Sequence, residues 1–215
     1  MWHKSVEEEL ILQKDVNLYD DDRLILMLDK ISNNVGSNVI EKRKNWRKFK
    51  NAPDWENLSS AERFGNNYIT DDNLHEIHRE ETENLCKAAI DLGHEWLDTY
   101  FNRWEHESHA VVNHVQRVPP FANREGTQLG VHKLWGYKIV DGFEGVPHNH
   151  WPHMLTFVYY MDASDPIYFP YLDMKIDPYP GLMILFRGNV FHKVQVEMTN
   201  TRYVLAGSLR YTDVA

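Results

Sequence analysis

Apolar residues in the first half of the chain recur with the period of an α-helix. The stretch Asp21–Asn33 carries one apolar stripe and begins in a cluster of aspartates, which suits a helix N-terminus because of the helix dipole. A longer stripe predicts a helix, or a broken pair of helices, over Asp72–Trp104, with Gly93 as a candidate kink. Between them, Asn33–Asn66 is polar and interrupted by proline and glycine, which predicts loops with short helices.

Beyond Trp104 the pattern changes to short alternating runs separated by Pro, Gly, Asn and Asp, which is typical of an antiparallel sandwich or barrel. We therefore predict an α+β fold in which an all-β jelly-roll core is backed by the long helix. The chain is expected to form one domain over 1–215, with a helical layer over 1–105 and the jelly roll over 106–215. The predicted strands are 111–118, Val131–Val140, His148–Met161, Met174–Ile176, Gly181–Phe186, Val190–Val196 and Arg202–Tyr211.

Composition excludes several classes of function. The 215 residues carry a net charge of −9, which disfavours binding to nucleic acid or to an anionic membrane because both require basic surface. Cys86 is the only cysteine, so no intrachain disulfide can form. No apolar run reaches the length of a signal peptide or a membrane span. These features lead us to expect a soluble, cytoplasmic protein.

Three histidines in the second half have the spacing of metal ligands. His148 and His150 are two positions apart on a predicted strand, so their side chains should project to the same face. His192 lies on a later strand and can complete a facial set of ligands. We expect these three side chains to bind one divalent first-row metal ion.

An arginine on the next predicted strand adds a second kind of chemistry. Arg202 comes ten residues after His192, and a guanidinium buried beside a metal needs an anion, which a bidentate carboxylate supplies. Arg210 shares its strand face and is the alternative for this role. If the parity of His148 and His150 continues along their strand, the same inner face carries Pro152, Met154, Thr156, Val158 and Tyr160.

At these residues the sequence resembles the 2-oxoglutarate- and Fe(II)-dependent oxygenases, and within them a phage and bacterial subgroup. The likeness spans Trp135–Tyr211 and is carried by H-x-H, by T-x-V-x-Y ending at Tyr160, by H-x-V beginning at His192 and by R-Y-x-L beginning at Arg202. The resemblance implies a double-stranded β-helix, Fe(II) as the metal and 2-oxoglutarate as a small-molecule co-substrate. It further implies that Arg202, helped by Tyr160, holds the distal carboxylate of 2-oxoglutarate while a prime substrate is hydroxylated.

The sequence departs from this family at one ligand position. Most members have Asp or Glu two residues after the first histidine, whereas this chain has His150. Three interpretations remain: a three-histidine iron centre, which we expect; a carboxylate supplied by Asp141, Glu144 or Asp162; or a degenerate site that binds metal poorly.

Two competing functions also fit the sequence. One is a non-catalytic jelly roll derived from such an enzyme, with a structural or assembly role that would be virion-associated in a phage. The other is a cupin-like metal protein, which would leave Arg202 without a purpose. The prime substrate of an oxygenase could be a protein, a peptide or a metabolite, and the oligomeric state cannot be inferred.

Overall fold

The computed structural model describes residues 11–18, 20–34, 68–107, 127–139, 143–144, 147–162, 165–196 and 201–213. The predicted strand at 111–118 and most of the predicted loop region Asn33–Asn66 lie outside these ranges. Among the described helices, none is long and apolar enough to cross a membrane.

Within the described residues, three helices precede the main strands. They are α1 (Asp21–Asn34), α2 (Leu74–Ile77) and α3 (Arg79–Glu107). The predicted broken pair of helices is confirmed, but the break falls at His78, whose φ of −118° and ψ of 48° are not helical. Helix α3 continues through Gly93, and a Cβ added there would lie 2.7 Å from side-chain carbons of Leu129 and Leu209. Gly93 therefore allows close packing of the helix on the sheet, and the helix does not break there.

Ten strands are described, and all of their pairings are antiparallel. The strand predicted over His148–Met161 is wrong in its first half, because the chain turns at Trp151–Pro152 and the strand begins only at Leu155. The strands are β1 (Leu12–Asp15), β2 (Tyr68–Ile69), β3 (Thr127–Ile139), β4 (Phe143–Glu144), β5 (Leu155–Tyr160), β6 (Ile167–Phe169), β7 (Met174–Ile176), β8 (Leu182–Arg187), β9 (Lys193–Val196) and β10 (Arg202–Asp213).

The strands form two sheets whose order defines the fold. The large sheet has the order β1-β8-β5-β10-β3-β2, and the small sheet has the order β4-β9-β6-β7. Between β3 and β10 the chain alternates between the sheets, with β6 and β7 adjacent in the small sheet. Eight antiparallel strands wound in this way are a jelly roll, or double-stranded β-helix, so the predicted fold class is confirmed. Strands β1 and β2 come from the N-terminal half and extend the large sheet at its two edges.

The large sheet is covered on both faces. On β5 all six residues are buried, and they alternate between two apolar clusters. Leu155, Phe157 and Tyr159 belong to a cluster with α1 and α3, where Trp96 is fully buried. Val158 and Tyr160 belong to the cluster between the sheets, which is the barrel interior. The alternation therefore separates a helix-facing side from an interior side that can hold a site.

Candidate functional site

His148 and His192 are held together by the backbone of the small sheet. The amide N–H of each residue donates to the carbonyl oxygen of the other, at 3.0 and 2.9 Å, which closes an antiparallel bridge next to β9. The two imidazole rings lie with their centroids 4.5 Å apart. Two histidines distant in sequence are thus brought to one place by strand pairing.

His150 is positioned by the turn that leads into β5. Its amide N–H donates to the carbonyl oxygen of Gly188 at 2.7 Å, and its own carbonyl accepts a bond from the N–H of His153 at 2.8 Å. A Cβ added to Gly188 would lie only 2.0 Å from the carbonyl oxygen of His153. Because only glycine permits this close approach, Gly188 determines how the turn carrying His150 packs.

The same turn interrupts the alternation of inward and outward side chains that was predicted along this segment. Thr156, Val158 and Tyr160 alternate with the helix-facing residues of β5, as predicted for the inner face. Met154, however, packs in the cluster beneath the helices. The prediction for Met154 is wrong because the chain passes from one sheet to the other between His150 and Leu155, which interrupts the alternation.

The rings of His148, His150 and His192 converge on one point. One nitrogen from each of them lies within 4.8 Å of the others, and the centroids of His150 and its two neighbours are 5.2 and 5.1 Å apart. Nitrogens bound to one ion at about 2.1 Å are about 3 Å apart, so small ring movements suffice to close the set on an ion. The arrangement can hold a metal on one side and leaves the other side for further ligands.

Burial keeps His150 and His192 in the neutral form that binds metals. Burial lowers the pKa of His150 to about 3, and the neighbouring His148 and His153 act in the same direction. Burial also lowers the pKa of His192 well below its ordinary value, again with help from His148 and His150. His192 Nδ1 lies 3.2 Å from the carbonyl oxygen of Val190, which can only accept, so Nδ1 carries the proton and Nε2 is available to a metal.

Aromatic side chains form the wall around the histidines. The ring of Trp135 lies 5.3 Å from that of His150, and Phe186 and Phe169 lie 4.8 and 6.3 Å from His192. These side chains belong to the barrel interior cluster, so the buried side of the site is apolar.

Within the described residues, the group that could hold a metal contains only the three histidines and no carboxylate. Of the sequence alternatives, Asp162 accepts a hydrogen bond from the backbone N–H of Tyr203 at 2.7 Å, beside Arg202. Asp141 lies outside the described ranges, and for Glu144 only the backbone, in β4, is described.

Arg202 and Tyr160 come together in the barrel interior at the first residue of β10. Arg202 is 1% exposed and Tyr160 is fully buried, and the guanidinium carbon lies 5.5 Å from the centre of the tyrosine ring. Within the described part of the chain, Arg202 Nε, Arg202 Nη1 and the Tyr160 hydroxyl have no hydrogen-bond partner. Unpaired buried donors are costly, so this end of the barrel suits an anion that accepts from them.

The pKa shifts at this end agree with that interpretation. Burial lowers the pKa of Arg202, while the nearby Tyr160, Asp162 and Asp165 oppose the shift. Burial raises the pKa of Tyr160 to about 12, against the influence of the Arg202 charge, so the hydroxyl stays protonated and can donate. The residues present therefore fit a carboxylate of a small dicarboxylate such as 2-oxoglutarate.

Two further polar residues on the interior face were not singled out from the sequence as site residues. Thr156 and Ser208 lie opposite each other in the β5–β10 register, both are fully buried, and neither hydroxyl has a partner among the described residues. Both could have been found from the alternation of side chains along a strand. Thr156 lies on the same face as Tyr160, and Ser208 lies on the same face as Arg202.

Comparisons with known proteins give only distant likenesses. No family model matches the chain, and no curated protein matches it. A viral collagen prolyl hydroxylase from Paramecium bursaria Chlorella virus-1 is 12% identical, with 94% of this chain and 89% of that chain covered and a TM-score of 0.46. A 2OG-Fe(II) oxygenase family oxidoreductase from Burkholderia pseudomallei is 11% identical and has a TM-score of 0.32. The likeness covers 38% of this chain and 43% of that chain. A cupin superfamily protein from Desulfitobacterium hafniense is 16% identical and has a TM-score of 0.31. The likeness covers 41% of this chain and 71% of that chain. Likeness at this level does not carry an activity across.

Proposed function

We propose that this protein is an Fe(II)- and 2-oxoglutarate-dependent oxygenase that hydroxylates a prime substrate. The observation that supports this most strongly is the buried guanidinium of Arg202, whose Nε and Nη1 have no hydrogen-bond partner among the described residues, in the same barrel interior as the three converging histidines. A purely structural barrel gains nothing from buried donors without an acceptor, since each costs about 1–3 kcal/mol, a sizeable part of a domain's net stability.

Each residue has a defined role in this proposal. His148, His150 and His192 hold the iron through neutral ring nitrogens. Arg202 would hold the distal carboxylate of 2-oxoglutarate through the donors that the described residues leave free, and the Tyr160 hydroxyl would donate to the same group. Iron and 2-oxoglutarate, when bound, would supply oxidative decarboxylation coupled to oxidation of the prime substrate. The apolar wall of Trp135 and Phe186 would shield the buried side of the metal from water.

A second candidate is a cupin-like metal protein that does not use 2-oxoglutarate. The absence of a carboxylate from the metal group in the described residues favours it, since three imidazoles leave the ion with its full positive charge. The buried position of Arg202 favours the oxygenase, because a cupin-like metal site gives that side chain no anion.

The test is 2-oxoglutarate binding in the Arg202→Met variant. We expect calorimetry with Mn(II) present to show binding to the parent protein and none to the variant. Metal content should be nearly unchanged, since Arg202 is not a ligand. Arg210→Met is the matched control, because it removes an exposed arginine from the same strand and should leave the affinity for 2-oxoglutarate unchanged.

Succinate formation provides the second readout. The parent protein reconstituted with Fe(II) should, with O2 as the oxidant, convert 2-oxoglutarate slowly to succinate and CO2 even without a prime substrate. Equal 2-oxoglutarate affinity in the parent and in Arg202→Met would remove Arg202 from the site. A parent protein that binds metal but not 2-oxoglutarate would favour the cupin-like alternative, and one that binds neither would favour a structural role.

A further inference from the structure

A second polar cluster lies at the same end of the barrel as the three histidines. His132 and His153 have their ring centroids 5.2 Å apart, and Arg210 and Lys133 are close enough for their charges to act on both rings. His153 is also hydrogen-bonded through its backbone to His150. The cluster therefore adjoins the proposed metal site without belonging to it.

The strand register fixes the position of Arg210. Leu209 pairs with Leu155, the first residue of β5, so Arg210 lies just beyond the end of that strand, next to the turn that carries His153. Leu205 and Leu209 face the helices, so Ser208 and Arg210 point to the interior side. Arg210 is exposed, which places its guanidinium at the barrel mouth.

Charge in this cluster is only partly balanced. Asp72 forms an ion pair with Lys133 at 2.6 Å. Arg210 has no ion pair within the ranges that the structure describes. The chain has a net charge of −9, so an arginine without a described ion pair beside two histidines is a local positive charge in an acidic protein. An oxyanion would balance this charge by accepting bidentate hydrogen bonds from the guanidinium.

Two buried hydroxyls lie on the same interior face, deeper in the barrel than Arg210. Ser208 shares the interior face with Arg210 and lies opposite Thr156, and neither hydroxyl has a partner in the described residues. Both are fully buried, and a buried hydroxyl without a hydrogen bond destabilises the fold unless a ligand or water completes it. Within the described residues, the cluster thus offers one cation without an ion pair and two imidazole rings, and two hydroxyls without partners lie on the same interior face.

We propose that Arg210, His132, His153 and the hydroxyls of Ser208 and Thr156 form the recognition site for an oxyanion group, a phosphate or a carboxylate, on the prime substrate. The assignment of that ligand as the prime substrate rests on the proposed oxygenase function. Holding the oxyanion beside His150 would place the adjoining carbon atoms of the substrate at the metal.

This site is separate from the proposed co-substrate pocket. Arg202 and Arg210 are eight residues apart on β10 (210 − 202), so their α-carbons are roughly 26 Å apart in an extended strand. A five-carbon dicarboxylate cannot reach both. One arginine is therefore available for each ligand.

The experiment titrates inorganic phosphate, and separately acetate, into the full chain and follows the imidazole resonances of His132 and His153 by NMR. It is performed on the metal-free protein and on the Zn(II) form with 2-oxoglutarate. We expect saturable shifts of both rings in each form. Arg210→Ala should weaken phosphate binding about tenfold or more, as expected for loss of charge-assisted hydrogen bonds. The tighter of the two anions indicates whether the substrate carries phosphate or carboxylate.

Two control variants test whether phosphate binding depends specifically on Arg210. Arg23→Ala removes an exposed arginine from α1, across the large sheet from the barrel interior, and should change nothing. Arg202→Met should retain phosphate binding, even though it is expected to lose 2-oxoglutarate. Equal phosphate affinity in Arg210→Ala and the parent, or no shift of either ring, would overturn the proposal. Shifts confined to His148 and His192 in the Zn(II) form would also overturn it, because the phosphate would then sit on the metal.

Failure of the proposed function gives a different result. A protein that binds neither metal nor 2-oxoglutarate can still be titrated with phosphate in its metal-free form. Phosphate binding with loss in Arg210→Ala would then establish an oxyanion site in a protein that is not an oxygenase.

Discussion

At the scale of single residues, His150 is the position that most affects the chemistry of the site. A carboxylate there would cancel one positive charge of a divalent ion, whereas a neutral imidazole cancels none. The pKa of His150 is lowered to about 3, chiefly by burial, so the ring stays neutral near pH 7. An anionic co-substrate is therefore attracted more strongly to a three-histidine metal than to one that already has a carboxylate ligand.

His150→Ala should lose most of its bound metal, and His150→Asp should retain it. The alanine variant removes one of three ligands, while aspartate can approach the ion from the same turn and adds an attractive charge. Metal content after dialysis against Fe(II) or Mn(II) decides the point. Unchanged metal content in His150→Ala would show that this ring is not a ligand, and His94→Ala, at an exposed histidine of α3, controls for non-specific loss.

At the scale of elements, one carboxylate of α1 bonds to two strands of the large sheet, in addition to the apolar packing of this helix and the hydrogen bond from Tyr159 to Asp21. Asp29 Oδ1 accepts from Lys138 Nζ on β3 at 2.6 Å and from the Tyr203 hydroxyl on β10 at 2.8 Å. The hydrogen bond from Lys138 is the main cause that lowers the pKa of Asp29. A carboxyl group whose pKa is lower in the folded chain stabilises the fold above its unfolded pKa, and this stabilisation is lost as pH falls through the folded pKa.

Asp29→Asn should therefore reduce the free energy of unfolding by about 1 kcal/mol at pH 7, given the partial exposure of the pair. The difference from the parent should shrink as the pH falls below about 4, because the Asp29 carboxylate of the parent then becomes protonated and loses its charge. Urea denaturation at pH values on either side of this range measures both effects. A difference that does not change with pH would mean that Asp29 stabilises the contact of α1 with the sheet by packing and not by its charge. The control is Asp91→Asn, on the exposed side of α3.

At the scale of the whole molecule, the helices and the barrel share one sheet. Strand β5 contributes alternate residues to the helix-facing cluster and to the barrel interior, and β8 does the same with Leu185 and Ile184. Loss of the helices would leave one face of this sheet uncovered, so neither layer can be removed without cost to the other.

We expect the chain to unfold as one cooperative unit, in agreement with the predicted single domain. Far-ultraviolet circular dichroism, which reports mainly on α1 and α3, and near-ultraviolet dichroism, which includes buried Trp135, should give the same midpoint in urea. Two separate midpoints would show that the helical layer and the jelly roll are independent domains. The comparison uses metal-free protein, because a bound ion would stabilise the barrel selectively.

Prediction from the sequence succeeded best for the helices, where the local periodicity is long. The helix predicted over Asp21–Asn33 is observed as Asp21–Asn34. Of the two three-residue strands, Met174–Ile176 was predicted with the observed bounds and β6 was missed, since three residues show no clear period. The role of Gly93 in packing could not be read from the sequence, because a glycine needed for close packing and one that kinks a helix have the same sequence pattern.

The sequence by itself determined the helices, the alternating strands and the spacing of His148, His150, His192 and Arg202, because these depend on neighbours along the chain. Only the tertiary structure decided that His148 and His192 meet across an antiparallel bridge and that His150 joins them through a turn at Gly188. It likewise decided that Arg202 is buried without a partner for Nε and Nη1 among the described residues. These features depend on which strands pair and on which groups burial leaves unpaired, and both are properties of the folded chain as a whole.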